Sequence, residues 1–212
     1  MPGKKFCLVG VDNDFIDLIQ KNSRSFIGYF SENKRFYKTI NKKNWLGNHT
    51  LDNWNIIKKK YNPNVVITID DNTKREELYK TIYKKNCKNF IFKNSYLAKS
   101  SKIKLSKKNC IIIQDYSKIM PNVEINNGVK IHVGVQIHHD CIIGEFSTIA
   151  PKALLLGKVE VGKNVYIGAN STIKQKVKIG KGAVIGAGSV VIRDVKEFDV
   201  VAGIPAKSIK TS

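Results

Sequence analysis

The 212-residue chain has no run of apolar residues near the ~20 that a membrane-spanning helix needs, which excludes a helical membrane span. The N-terminal Met-Pro-Gly-Lys-Lys leads straight into a short apolar stretch without a small-residue cleavage site, so a cytoplasmic protein is expected. Cysteine is scarce and shows no metal-ligand spacing. Cys7, Cys87, Cys110 and Cys141 form no CxxC or Cys/His pattern, which argues against a zinc site and predicts reduced, packing thiols. Acidic residues are few, 17 against 37 basic ones, and Arg24, Arg35, Arg75 and Arg193 are the only arginines. The formal charge of +20 is therefore a lysine charge. A solvated lysine surface accounts for most of it, and attraction of anionic ligands is its functional reading. No basic helix, zinc finger or stacking-aromatic pattern accompanies the charge, which argues against nucleic acid as a partner.

What is present divides the chain in two. Residues 1–95 alternate short apolar runs with segments of helical period. Phe6–Val11, Phe26–Phe30, Val65–Ile69 and Asn89–Phe92 read as strands. Asp14–Gln20, Thr50–Lys60 and Thr73–Lys85 read as helices between them. Strands alternating with helices predict a small α/β domain on a parallel, Rossmann-like sheet. Its first turn, Gly10-Val11-Asp12-Asn13-Asp14, has one glycine and two acids, so no dinucleotide fingerprint is present.

Residues 96–212 follow another rule. From Ile113 every sixth residue through Val191 is Ile, Val or Leu, and the residue two before each, from Ser117 onward, is Ser, Val, Cys or Ala. Neither a helical period nor plain strand alternation produces this. Hexapeptide repeats of this kind predict a left-handed parallel β-helix, a triangular prism of about 18 residues per coil with the aliphatics inside. Ser95–Lys108 breaks the repeat and reads as a linker or an irregular first coil, and the segment after Lys196 as a terminal cap.

Three of the four histidines, His132, His138 and His139, fall within the repeats, and His49 reads as a surface loop residue. Spacings of six and one, without an upstream partner, do not suit a zinc site shared between prisms. The stretch His139-Asp140-Cys141, followed by Ile149-Ala150-Pro151 and closed by Gly203-Ile204-Pro205-Ala206-Lys207, resembles the bacterial sugar N- and O-acetyltransferases of the hexapeptide family. Enzymes that acetylate UDP-4-amino-sugars, and sialic acid O-acetyltransferases, are of this kind.

The resemblance implies acetyl-CoA as cosubstrate, no metal, and a homotrimer with a nucleotide-sugar acceptor. It implies that His139 is the general base, Asp140 orients its ring, and the Gly157 N–H receives the oxyanion. His139 and Gly157 are one coil apart, so the prism itself predicts that they stack about 4.8 Å from each other. Gly157, Ala169, Ala187, Arg193 and Lys207 are expected on the donor side. Gly10, Glu32, Asn33, Asp70, Asp71, His132, His138 and Thr148 are expected on the acceptor side. A hydroxyl acceptor and a catalytically silent scaffold are the alternative readings.

Overall fold

In the computed structural model the described residues are 5–10, 25–32, 45–103 and 109–209. The helix expected over Asp14–Gln20, and Asn33, lie outside them.

The hexad is a burial code. The aliphatic at each sixth position and the small residue two before it both point inward, as Val123 with Ile125 and Cys141 with Ile143, all fully buried. The residue between them faces out. Each hexad supplies a two-residue strand, and every third strand pairs in parallel register, such as Ile125 with Ile143 and Ile143 with Val161. Three stacked parallel sheets result. The first face contains Lys130–Ile131, the second Gln136–Ile137 and the third Ile142–Ile143. Three residues before each inward aliphatic the backbone turns left-handed, at Asn122, Asp140, Phe146, Lys158 and Asn164 among others. Gly128, Gly134, Gly182 and Gly188 serve the same turn without steric cost.

The prism begins earlier than its strict period. Phe90–Ile91, expected as the last strand of the α/β domain, pairs instead with Ile112–Ile113 in the first face. Tyr96–Leu97 and Lys102–Ile103 complete a first coil, so the irregular-coil reading of this segment holds and the linker reading does not. The step from Ile103 to Ile113 is ten residues where the repeat demands six, which hides this coil from a periodic search. At the other end Val200–Gly203 and Ala206–Ser208 form an antiparallel hairpin on the last coil, the expected cap.

The N-terminal unit is a four-stranded parallel sheet of Phe6–Val9, Phe26–Phe30, Trp45–Gly47 and Asn64–Ile67. The last strand lies on the opposite side of the first from the other two. The Leu51–Tyr61 helix starts on a Thr50 cap, whose hydroxyl accepts from the Asn53 N–H, and packs Trp54 against Phe30 and Tyr83. A second helix, Asn72–Leu78, continues as a π-helical turn to Tyr83.

This second helix docks the unit on the first prism face. Ile112, Lys130 and Thr148 occupy outward positions of that face and are fully buried beneath it. Arg75, also buried, donates to the carbonyls of Gly128 (2.9 Å), Phe146 (2.7 Å) and Ile69 (2.8 Å) and to Thr148 Oγ1 (3.0 Å). Glu76 accepts from Lys163 and from Asn164 Nδ2. Burial opposes its charge, yet these bonds with Lys80 hold its carboxyl down at about 2. The seam is therefore closed by the hydrogen-bonded Arg75 and Glu76 beside the apolar contact of Tyr79 with Phe146.

One cysteine expectation is corrected. Cys87, at the end of the helical segment, and Cys110, entering the next coil, are joined by a disulfide with Cα atoms 5.2 Å apart. The docking of the unit on the first face brings them together, which their spacing of 23 residues does not foretell. Cys7 and Cys141 are free and buried, as packing residues.

Candidate active site

The edge between the second and third faces carries His138, His139 and Asp140. Asp140 occupies the left-handed turn position (φ 62°), a conformation that aspartate tolerates. Its Oδ2 lies 2.8 Å from His139 Nδ1, and its Oδ1 accepts from Asn122 Nδ2 at 3.1 Å. Hydrogen bonds from His139 and then Asn122 keep this carboxylate below its ordinary range. An ionised Asp140 makes Nδ1 the protonated nitrogen of a neutral ring and leaves the Nε2 lone pair free. Asn122 is a site residue that sequence reasoning missed. It lies one coil before Asp140, at the same turn position, which is the signal that could have found it.

The coil that follows supplies Gly157. A Cβ there would lie 2.7 Å from both Cε1 and Nε2 of His139, so the imidazole rests directly on the glycine. The coil-to-coil ladder passes Gly157 by. Leu156 N–H donates to Ile173 and Lys158 N–H to His139, and the Gly157 N–H between them stays out of it. The stacking expected from the repeat is observed, and a side chain at 157 is incompatible with it. Cys141, the third motif residue, points into the core and donates to the Leu156 carbonyl at 3.1 Å. Burial pushes its thiol up to about 11, which makes it a packing group and a poor nucleophile.

Arg193 continues the same edge three coils beyond His139 and, with Lys207 and Lys196, lines a cavity of about 630 Å³ at the prism end. Ala169 and Ala187 were grouped with Gly157 by sequence. They lie across the second face, on its edge with the first, so one chain does not bring them to Gly157. His132 is on that opposite edge too.

Gly10, Glu32, Asp70 and Asp71 lie at the carboxyl ends of the parallel strands, where open α/β sheets bind ligands. Gly10 (φ 94°) is closed off there, because a Cβ would meet Ile69 Cγ1 at 2.5 Å. Glu32 is exposed and pairs with Lys74 at 3.6 Å. Asp71 is spent on capping the second helix, accepting from the Lys74 N–H at 2.7 Å. Asp70 and Asp71 also rim a cleft of about 470 Å³ against Tyr166, Lys181 and Phe198 of the prism. Thr148 is fully buried, donating to Asn72 Oδ1 at 2.6 Å, and is not presented to a ligand. His49 is half-buried with its Nδ1 enclosed, so it is not the free surface residue expected.

Comparison with known proteins agrees with this architecture. Residues 122–157 and 158–193 match the bacterial transferase hexapeptide (six repeats) family. These repeats lie within the left-handed β-helix, which follows a small α/β unit. GDP-perosamine N-acetyltransferase of Escherichia coli O157:H7 is 38% identical over 64 residues, 30% of this chain and 29% of that protein. The match thus spans under a third of the curated relative's length. Whole-chain likeness comes from solved structures. Caulobacter crescentus PerB in complex with CoA and GDP-perosamine superposes with a TM-score of 0.84 at 19% identity, covering 97% of each chain. The acetyltransferase domain of Neisseria gonorrhoeae PglB, in complex with acetyl coenzyme A, gives 0.82 at 19% identity, covering 97% of this chain and 99% of that one.

Proposed function

We propose that the protein is an acetyl-CoA-dependent N-acetyltransferase acting on a nucleotide-linked amino sugar of the 4-amino-4,6-dideoxy type, with His139 as general base. The observation that carries this is the His139 imidazole, oriented by Asp140 and resting on Gly157, whose N–H has no partner among the described residues. The acceptor amine attacks the thioester carbonyl while Nε2 takes its proton. The oxyanion that forms accepts a hydrogen bond from the Gly157 N–H. Collapse expels the CoA thiolate, which regains a proton, and the acetyl group leaves on nitrogen. Arg193 and Lys207, sharing one cavity, are suited to the CoA phosphates.

The working unit we infer is a homotrimer packed through the second face. Its outward row, Tyr96, Lys118, Gln136, Leu154, Thr172 and Val190, carries a single charge. The third face presents Glu124, Glu160 and Lys178, and the first is covered by the α/β unit at Ile112, Lys130 and Thr148. Three prisms turned inward on the second face set each copy's His139 edge beside the next copy's His132 edge. Ala169 and Ala187 then line the groove with Gly157, as a pantetheine arm requires. Donor and reaction would be cytoplasmic, and the Cys87–Cys110 bond is the feature at odds with that compartment.

The test is thiol release from acetyl-CoA with GDP-perosamine and with a UDP-linked 4-amino-4,6-dideoxy sugar, wild type beside His139→Ala. Sugar-dependent release that falls about a hundredfold or more in the variant supports the reading. Release indifferent to the substitution removes His139 as base. Release only with hydroxyl acceptors turns the reading to O-acetylation, and none with any acceptor turns it to a scaffold.

A further inference from the structure

His139 and Asp140 are neighbours in sequence, and neighbouring side chains of an extended segment point to opposite sides. They meet here because the backbone turns left-handed at Asp140 (φ 62°). The coil-to-coil ladder fixes both backbones. The Asp140 N–H donates to the Pro121 carbonyl at 3.1 Å, and the His139 carbonyl accepts from the Lys158 N–H at 2.9 Å. The ladder does not fix the Asp140 carboxylate, which hangs on two rotatable bonds at the prism edge with its side chain 38% exposed. One oxygen, Oδ2, meets His139. Among the described residues the only hydrogen bond to the other, Oδ1, comes from Asn122 Nδ2 at 3.1 Å. The Lys158 ammonium, on the following coil, acts on this carboxylate through its charge alone.

Asn122 is itself placed by the coil before it. Its backbone is left-handed (φ 59°), and its N–H donates to Ser100 Oγ at 3.3 Å. A polar chain therefore climbs one edge of the prism, from Ser100 through Asn122 and Asp140 to the imidazole that rests on Gly157. Asparagine suits its place in two ways. It tolerates the left-handed turn, and its amide offers a donor to a carboxylate that can only accept. Aspartate would meet the first requirement and fail the second. Without the Asn122 bond, Oδ1 is left to water and the carboxylate can rotate out of line with Nδ1. An unheld neutral ring can then take the other tautomer, in which Nε2 carries the proton and cannot act as base.

We propose that Asn122 is a positioning residue for acetyl transfer: its amide locks the plane of the Asp140 carboxylate, which thereby holds His139 in the tautomer and orientation that take the acceptor's proton. This rests on the acetyltransferase reading.

The test joins kinetics to histidine NMR on the full-length protein. Asn122→Gly removes the amide and keeps the turn, since Gly128, Gly134, Gly182 and Gly188 hold the equivalent position in other hexads. With the amino sugar that wild type acetylates, starting from GDP-perosamine, Asn122→Gly is expected to lower kcat about tenfold, the worth of one hydrogen bond to a charged group. Both KM values and the thermal midpoint should stay where they were. Asn122→Asp keeps the shape but turns an acceptor on Asp140, and should lose more. On an Asp140→Gly background, Asn122→Gly should add nothing, because the group it acts through is gone. The 15N spectrum, assigned with His139→Ala, should show His139 moving from the Nδ1–H toward the Nε2–H form in Asn122→Gly. An active wild type whose kcat ignores Asn122→Gly overturns this proposal and leaves the acetyltransferase reading standing. A loss repeated in full on the Asp140→Gly background, or one that tracks a fallen thermal midpoint, does the same. A wild type that acetylates nothing overturns both.

Discussion

The prism and the α/β unit solve the same problem, burial of a small apolar core, in opposite ways. The prism repeats one local rule, so each coil meets the next eighteen residues on in an identical register, as Lys130 on Thr148 and Thr148 on Tyr166. The α/β unit has no such rule, and it is joined to the prism by individual bonds such as those of Arg75 and Glu76. Damage to the first should be graded and local. Damage to the second should be concentrated in a few residues.

Arg75→Ala should be the most severe single change, because it strips partners from several buried groups at once. A loss of about 3–5 kcal/mol is expected. It should appear in differential scanning calorimetry as an early transition of the α/β unit, with the prism transition unmoved. A single cooperative transition would mean that the two regions are one folding unit. Ile149→Ala, in the middle of the prism core, should cost about 3 kcal/mol and lower the later transition instead.

Acid should distinguish the regions in the same direction. The Glu76 and Asp70 carboxyls are held below their ordinary values in the folded state, so their stabilisation is full above their unfolded pKa values, about 4. It fades as pH falls, for Glu76 down through about 2. The prism interior contains no carboxylate among its clustered core residues. Calorimetry between pH 5 and about 2 should therefore find the early transition falling and the late one nearly constant.

Gly157→Ala should have the smallest effect on stability and a clear one on rate. The added methyl, 2.7 Å from the His139 ring, forces the imidazole off its seat. About tenfold in kcat is expected, with the melting profile within about 0.5 kcal/mol of wild type. Unchanged turnover would show that the ring does not work from the position it occupies over Gly157.

How much was legible follows from the same contrast. Fourteen hexads announce the prism, and counting eighteen from His139 lands on Gly157, because contacts in a β-helix recur at a constant separation. Asn122, one coil before Asp140, is within reach of the same count. The first coil is legible only as one of two readings because the step from Ile103 to Ile113 is ten residues, and a period cannot be read through an insertion. Thr148 was assigned to a ligand on family resemblance, whereas the packed helix covers it.

By itself, then, the sequence determined the β-helix, its inward residues and the His139–Asp140 pair over Gly157, since each depends on local spacing or on one repeat length. Only the tertiary structure decided that Asp70 meets His132 and Lys130, that Arg75 closes the seam and that Cys87 meets Cys110. Those contacts join a periodic element to an aperiodic one. No interval along the chain encodes them, and they exist because one helix packs on one face.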